Sequence, residues 1–286
     1  MRRNDLIALA GRLAGPYRIR PAEQPVGGPA GIFGGARDGQ SVDFHDFREY
    51  QPGDDLRRVD WLAYARSGQM HLKLYREEVS PVVELFLDTS ASMATYPGKE
   101  QAAVFLTAFL RGATLASEGR PVLCLGGGRF SGGDFEAALA AAEFAGDGGL
   151  AAPVGGTAAA RPLRFLISDC LFGEELVPLF RSHASGSLHF SPFMILSRSE
   201  TNPPWRGHHR LFDVEAPSET LDTSITAAAV AGYLTRLGKH EEALAREARL
   251  NGGRLLRLDV PDGELSRGEC EGMIRTLVAE RVVTPR

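Results

Sequence analysis

Cysteine is scarce in this chain, and the three present (Cys124, Cys170 and Cys270) include no Cys-x-x-Cys pair. That argues against a disulfide framework or a structural zinc site and suits a reducing compartment. No apolar stretch approaches the roughly 20 residues needed to span a bilayer. The segment Leu6-Ile7-Ala8-Leu9-Ala10 follows Arg2 and Arg3, but Gly11 and Arg12 break it. It is too short for the apolar part of a signal peptide, so a cytoplasmic protein is expected. Neither sign of charge dominates. A formal charge of −4 and a pI near 6.0 give no global case for nucleic acid or an anionic membrane. The pairs Arg2-Arg3 and Arg57-Arg58 read as solvated faces. The histidines form no ligand-spaced set, and His208-His209 read as loop residues, which speaks against zinc. A Gly-x-Ser-x-Gly elbow is missing. Gly126-Gly127-Gly128 lacks the Gly-Lys-Ser/Thr of a phosphate loop and reads as a strand-end turn.

What remains is an ordinary soluble composition, 43% apolar and 24% charged, in a chain of 286 residues that can bury a sizeable core. Residues 1–41 read as a short helix, a turn at Gly15-Pro16 and a Gly/Pro-rich loop. Residues 42–80 are dense in charge and aromatics and read as a small extra layer, with Met70 to Tyr75 as an edge strand. Residues 81–286 form the main domain. There, apolar strands are expected at 82–87, 121–125, 163–167, 188–196 and 254–258. They alternate with helices at 99–118, 135–144, 174–183 and 224–250, and a C-terminal helix follows at 264–280. Asn251-Gly252-Gly253 supplies a helix C-cap. Strand–helix alternation predicts an α/β fold with a doubly wound, mostly parallel sheet.

The densest chemistry lies in Val82-Val83-Glu84-Leu85-Phe86-Leu87-Asp88-Thr89-Ser90-Ala91-Ser92-Met93. A buried-strand pattern runs into Asp88, Ser90 and Ser92, hard oxygen donors of the kind Mg²⁺ prefers. In an open α/β sheet, ligands bind at the carboxyl ends of the strands. A second strand ends alike, in Phe165-Leu166-Ile167-Ser168-Asp169, so Asp169 is expected to face Asp88. Thr157, in the glycine-containing loop Pro153-Val154-Gly155-Gly156-Thr157, is a further oxygen donor, and Asp134 stands in reserve. Two other readings of these residues stay open. Ser90 or Ser92 would cap a following helix. Alternatively, Asp88 would be the nucleophile of a phosphatase, although such chemistry wants a second acid where Ser90 stands.

The stretch Asp43-Phe44-His45-Asp46-Phe47-Arg48-Glu49-Tyr50-Gln51-Pro52-Gly53-Asp54-Asp55 continues as Leu56-Arg57-Arg58-Val59-Asp60-Trp61-Leu62-Ala63-Tyr64-Ala65-Arg66. With Asp88-Thr89-Ser90-Ala91-Ser92-Met93, it resembles the bacterial domain-of-unknown-function family 58, over about residues 40–280. The resemblance implies a von Willebrand factor A-like domain with a metal-ion-dependent adhesion site. It further implies that Asp88, Ser90 and Ser92 hold Mg²⁺ or Mn²⁺, with Thr157 and Asp169 as positional matches for the rest of the shell. It implies a non-enzymatic module that accepts a carboxylate from a protein partner, with a MoxR-type AAA+ ATPase as the partner such relatives suggest. A metal-assisted phosphohydrolase using Asp88 and Asp169, or a scaffold with a vestigial site, are the alternatives. The charged residues Arg48, Glu49, Asp54, Asp55, Arg57, Arg58 and Asp60 are read as an ion-pair network, with Trp61 and Tyr64 as its apolar anchor.

Overall fold

A computed structural model describes residues 1–19, 43–51, 54, 56, 59–76, 81–145, 161–171, 176–216 and 218–286. The chain divides into two units, one of residues 1–24 and 81–286, the other of residues 25–80. The first begins with α1 (Arg3–Ala14), where Leu6, Leu9, Ala10 and Ala14 recur at helical spacing and are buried. A short strand, β1 (Tyr17–Ile19), follows.

In the second unit, β2 (Asp43–Glu49), α2 (Trp61–Ser67) and β3 (His71–Arg76) follow in order. β2 and β3 pair antiparallel. The Asp60 carboxylate starts α2 by accepting from Leu62 N and Ala63 N, and Gly68 ends it in the left-handed conformation. Trp61 and Tyr64 touch each other edge-on and both stay exposed. Asp55, Arg57 and Arg58 of the expected ion-pair network lie outside the described residues.

The first unit continues with β4 (Val82–Leu87), a 3₁₀ turn (Ala91–Ala94) and α3 (Pro97–Ala116). Next come β5 (Arg120–Leu125), β6 (Gly128–Phe130), α4 (Gly133–Ala141) and β7 (Leu163–Ser168). After these stand α5 (Leu176–Ala184), β8 (His189–Ser197), the short α6 (Arg198–Thr201), β9 (Gly207–Phe212) and β10 (Thr220–Ile225). α7 (Ala227–Leu250), β11 (Leu256–Val260), α8 (Arg267–Ala279) and β12 (Val283–Pro285) close it.

Six strands form the main sheet in the order β11-β8-β7-β4-β5-β6, parallel except for β6, which turns back on β5. Gly126 and Gly127 make that turn with φ of 55° and 78°, the two positive values a tight hairpin of this hand requires. Numbered along the chain, the order is 3-2-1-4-5-6, that of a doubly wound Rossmann-type or von Willebrand factor A-like sheet. It is therefore an α/β fold with a mixed sheet.

Side chains alternate between two cores. Leu85, Leu87, Phe165, Ile167 and Ile195 meet α1, α3 and α8, whereas Phe86, Leu166, Met194 and Leu196 meet Phe180 of α5 and Leu237 and Leu244 of α7. The chain leaves β4 toward β5, then crosses back over β4 to enter β7. That reversal opens a crevice at the carboxyl ends of β4 and β7.

Two differences from the sequence expectation have physical causes. β11 starts at Leu256 rather than Arg254, because residues 251–253 wrap back on α7, Gly253 N donating to Ala248 O at 2.9 Å. His208 and His209 lie in β9, which among the described residues pairs only with β10. This hairpin has no apolar alternation because neither of its faces is buried.

Candidate metal centre

The β4 ladder runs one residue beyond the strand, Asp88 N donating to Ile167 O at 2.9 Å. That last bond fixes Asp88 at the mouth of the crevice, with its side chain 1% exposed. Ser90 N donates to Asp88 Oδ1 at 2.9 Å, folding the chain into a tight aspartate turn. The turn brings Ser90 Oγ within 3.0 Å of Ser92 Oγ. The cap reading of these serines does not hold: Ser90 precedes the 3₁₀ turn without a side-chain cap bond, and α3 starts from Tyr96, also without one.

From β7, Ser168 Oγ donates to Asp88 Oδ2 at 2.6 Å. Ser168 in turn accepts from Cys170 N at 2.8 Å. Cys170 takes a left-handed φ of 54°, a region that favours glycine. The strand end thus curls around Asp88 and gives it a hydroxyl donor.

Asp169 is also buried, but it answers to a different partner. Its Oδ1 accepts from Leu171 N at 3.1 Å, and its Oδ2 accepts from Lys99 Nζ at 2.9 Å. Lys99, on the first turn of α3, is fully buried and donates as well to Glu200 Oε1 at 2.8 Å. Glu200 is held by the capping box of α6, its Oε2 accepting from Ser197 N. Burial alone lowers the lysine pKa, but the carboxylates of Asp169 and Glu200 outweigh it and the net shift is upward. Lys99 is therefore a fixed ammonium.

Asp88, by contrast, has no cationic partner among the described residues. Burial pushes its carboxyl pKa up, and the hydrogen bonds from Ser168 and Ser90 only partly offset that rise. Three carboxylates (Asp88, Asp169 and Glu200) share the crevice with one ammonium, so two negative charges are left over when all are ionised. A single divalent cation would balance them. One carboxylate with neighbouring hydroxyls suits a hard ion that keeps several waters, as Mg²⁺ does. Among the described residues no group of three or more His, Cys, Asp and Glu is arranged to hold a metal, which leaves hydroxyls as the other protein donors.

One further carboxylate reaches the turn from outside. Glu215, between β9 and β10, accepts from Ser92 N at 2.8 Å and from Ala91 N at 3.3 Å.

Of the residues expected at the site, the structure gathers Asp88, Ser90 and Ser92 on one turn. Asp169 stands beside them, tied to Lys99. Asp134 is exposed on the first turn of α4 and has no hydrogen bond to this cluster. Thr157 lies outside the described residues. Lys99, Ser168, Glu200 and Glu215 are additions. The signal for Lys99 was a single cation at the start of an otherwise apolar helix; for Glu200 it was the Ser-x-x-Glu capping pattern after a strand. Glu215 left no signal, because its partners are backbone amides.

No curated protein and no solved structure matches the chain. A family model does, over the part that holds β4, the Asp88–Ser92 turn and α3. From residue 46 to residue 128 the chain matches the family described as protein of unknown function DUF58.

Proposed function

We infer that this protein is a non-enzymatic, metal-dependent protein-binding module. Asp88, Ser90 and Ser92 hold Mg²⁺ or Mn²⁺, and Thr157 and Asp169 complete the surroundings of the ion. The observation that carries this reading is Asp88 itself. A carboxylate this deeply buried, beside two hydroxyls and with no cation to pair with among the described residues, is costly unless something positive joins it. When bound, the ion supplies an open coordination position for an acidic side chain of a partner.

The chain's own residues do the positioning. Ser168 and the amide of Ser90 orient the two oxygens of Asp88, and Lys99 bridges Asp169 and Glu200 behind it. The partner proposed is a MoxR-type AAA+ ATPase, for which this chain would serve as an adaptor.

Calorimetry with Mg²⁺ and Mn²⁺ on the wild type and on Asp88→Ala tests the ion. Pull-down of the ATPase with and without chelator tests the partner. Absence of binding heat from the wild type would sink the metal. A hydrolase working through Asp88 and Asp169 is the competing reading. The commitment of Lys99 to two carboxylates weighs against it, since two of its three N–H groups are taken and its ammonium is fully buried. A screen of phosphate esters with Mg²⁺ decides the point, and turnover that is lost in Asp88→Ala would overturn the binding module.

A further inference from the structure

Metal binding by the Asp88 turn leaves the β9–β10 hairpin without a role. Neither strand joins the main sheet, and most side chains along both are exposed. Phe212 and Leu221, each more than 60% exposed, stand on it in solvent. An isolated two-stranded ribbon is marginally stable at best, so something must hold this one in place.

Its tip nonetheless carries hydrogen bonds of its own. Asp213 Oδ1 accepts from Glu215 N at 2.9 Å and from Ala216 N at 3.3 Å, while Glu219 N donates to Ala216 O at 2.8 Å. Those bonds fix the backbone at Glu215. Among the described residues, the hydrogen bonds tying the tip to the rest of the unit are the two that Glu215 accepts from Ala91 N and Ser92 N. The carboxylate is thus seated on the same turn that carries the Ser90 and Ser92 hydroxyls.

We propose that the hairpin is an autoinhibitory latch, in which Glu215 holds the place that an acidic side chain of a partner takes. The proposal rests on the reading of the Asp88 turn as a carboxylate-accepting site. The chemistry of the exchange is balanced: one carboxylate leaves the amides of Ala91 and Ser92 and another arrives, so both amides keep an acceptor in the end state. The displaced arm keeps its own structure, because β9 and β10 stay paired and Arg210 bonds Asp222 through two nitrogens, at 2.8 and 3.0 Å. It is rooted at Gly207, whose φ of 90° is open to glycine, and at Thr226, the cap of α7. The ligand class is a peptide segment presenting Glu or Asp.

Hydrogen exchange on the full chain tests the latch, with sodium glutarate as the carboxylate probe in the presence of Mg²⁺. In Glu215→Ala, the amides of Ala91 and Ser92 and those of residues 207–225 should exchange about tenfold faster or more, with the remainder unchanged. Glutarate should restore protection at Ala91 and Ser92 in that variant at about a tenth of the concentration the wild type needs. Exchange rates indifferent to the substitution, or equal glutarate responses in both proteins, overturn the latch. Calorimetry of the wild type with Mg²⁺ alone separates the two ideas. A flat titration there removes the metal, and the latch then stands or falls on the same glutarate comparison made without Mg²⁺.

Discussion

Lys99 and Asp169 form an ion pair at 2.9 Å with both side chains out of contact with solvent. The pair joins the first turn of α3 to the end of β7, and Glu200 extends it to α6. Because the one ammonium is shared by two carboxylates, removing it leaves both without a cation. Lys99→Met should cost about 3–5 kcal/mol, the range for breaking a buried pair from one side. Urea unfolding measures this, and a loss under about 1 kcal/mol would show that water reaches the carboxylates. Adding Asp169→Asn to that variant should return part of the loss, a coupling read from the double-mutant cycle.

The response to metal should depend on Asp88. At a cation concentration about 100 times the dissociation constant, linkage gives about 2.7 kcal/mol of stabilisation, a rise of several degrees in Tm for a chain of this size. Asp88→Asn should erase that rise and keep the fold, since the amide retains the shape of the side chain and an oxygen for Ser90 N. Equal Mg²⁺ shifts in both proteins would move the ion elsewhere.

Acid should weaken the fold through His183. Its ring is buried between Phe86 and Phe190, and neither ring nitrogen has a hydrogen-bond partner among the described residues. Burial first, and the nearby Arg164 second, lower its pKa from 6.5 to about 4. The unfolded chain therefore takes up the proton before the folded one does. The stability it protects is whole above pH 6.5 and drains as the pH falls toward 4, a loss of roughly 3 kcal/mol. Unfolding free energies at pH 7 and 4.5 measure the slope, and His183→Leu should flatten it.

The thiols should be inert in the folded protein. All three are buried; burial raises Cys124 to about 12 and Cys270 to about 11, and Cys170 well above its ordinary value. Maleimide at neutral pH should label none of them until denaturant is added. Rapid labelling of Cys170 in the native state would mean that the end of β7 opens.

The strands at the crevice were legible because β4 and β7 are buried on both faces, and such strands read as mainly apolar runs, here each broken by one charge (Glu84 and Arg164, which pair at 2.7 Å), ending in Asp88 or Ser168-Asp169. The parallel order followed from the helices between them. The pairing of Lys99 with Asp169 and Glu200 was not legible, because it joins residues 70 and 101 positions apart that only the finished fold brings together. The hairpin escaped notice for a different reason: its strands bury neither face, so period two never appears in them. Ser168 was read only as the approach to Asp169. Yet the strand pleat turns Ser168, not Asp169, toward Asp88 for the 2.6 Å bond.

The surplus of acid around Asp88 also sets an order of arrival. To an approaching Glu or Asp, the bare crevice is a repulsive surface, since Lys99 has already spent its charge on Asp169 and Glu200. A divalent ion bound beside Asp88 would reverse that sign and draw an acidic segment more strongly than the bare turn, where two amides already hold Glu215. Loading with metal and docking of the partner would then be successive events, with the first favouring the second, and the association rate should rise with metal occupancy and fall with salt.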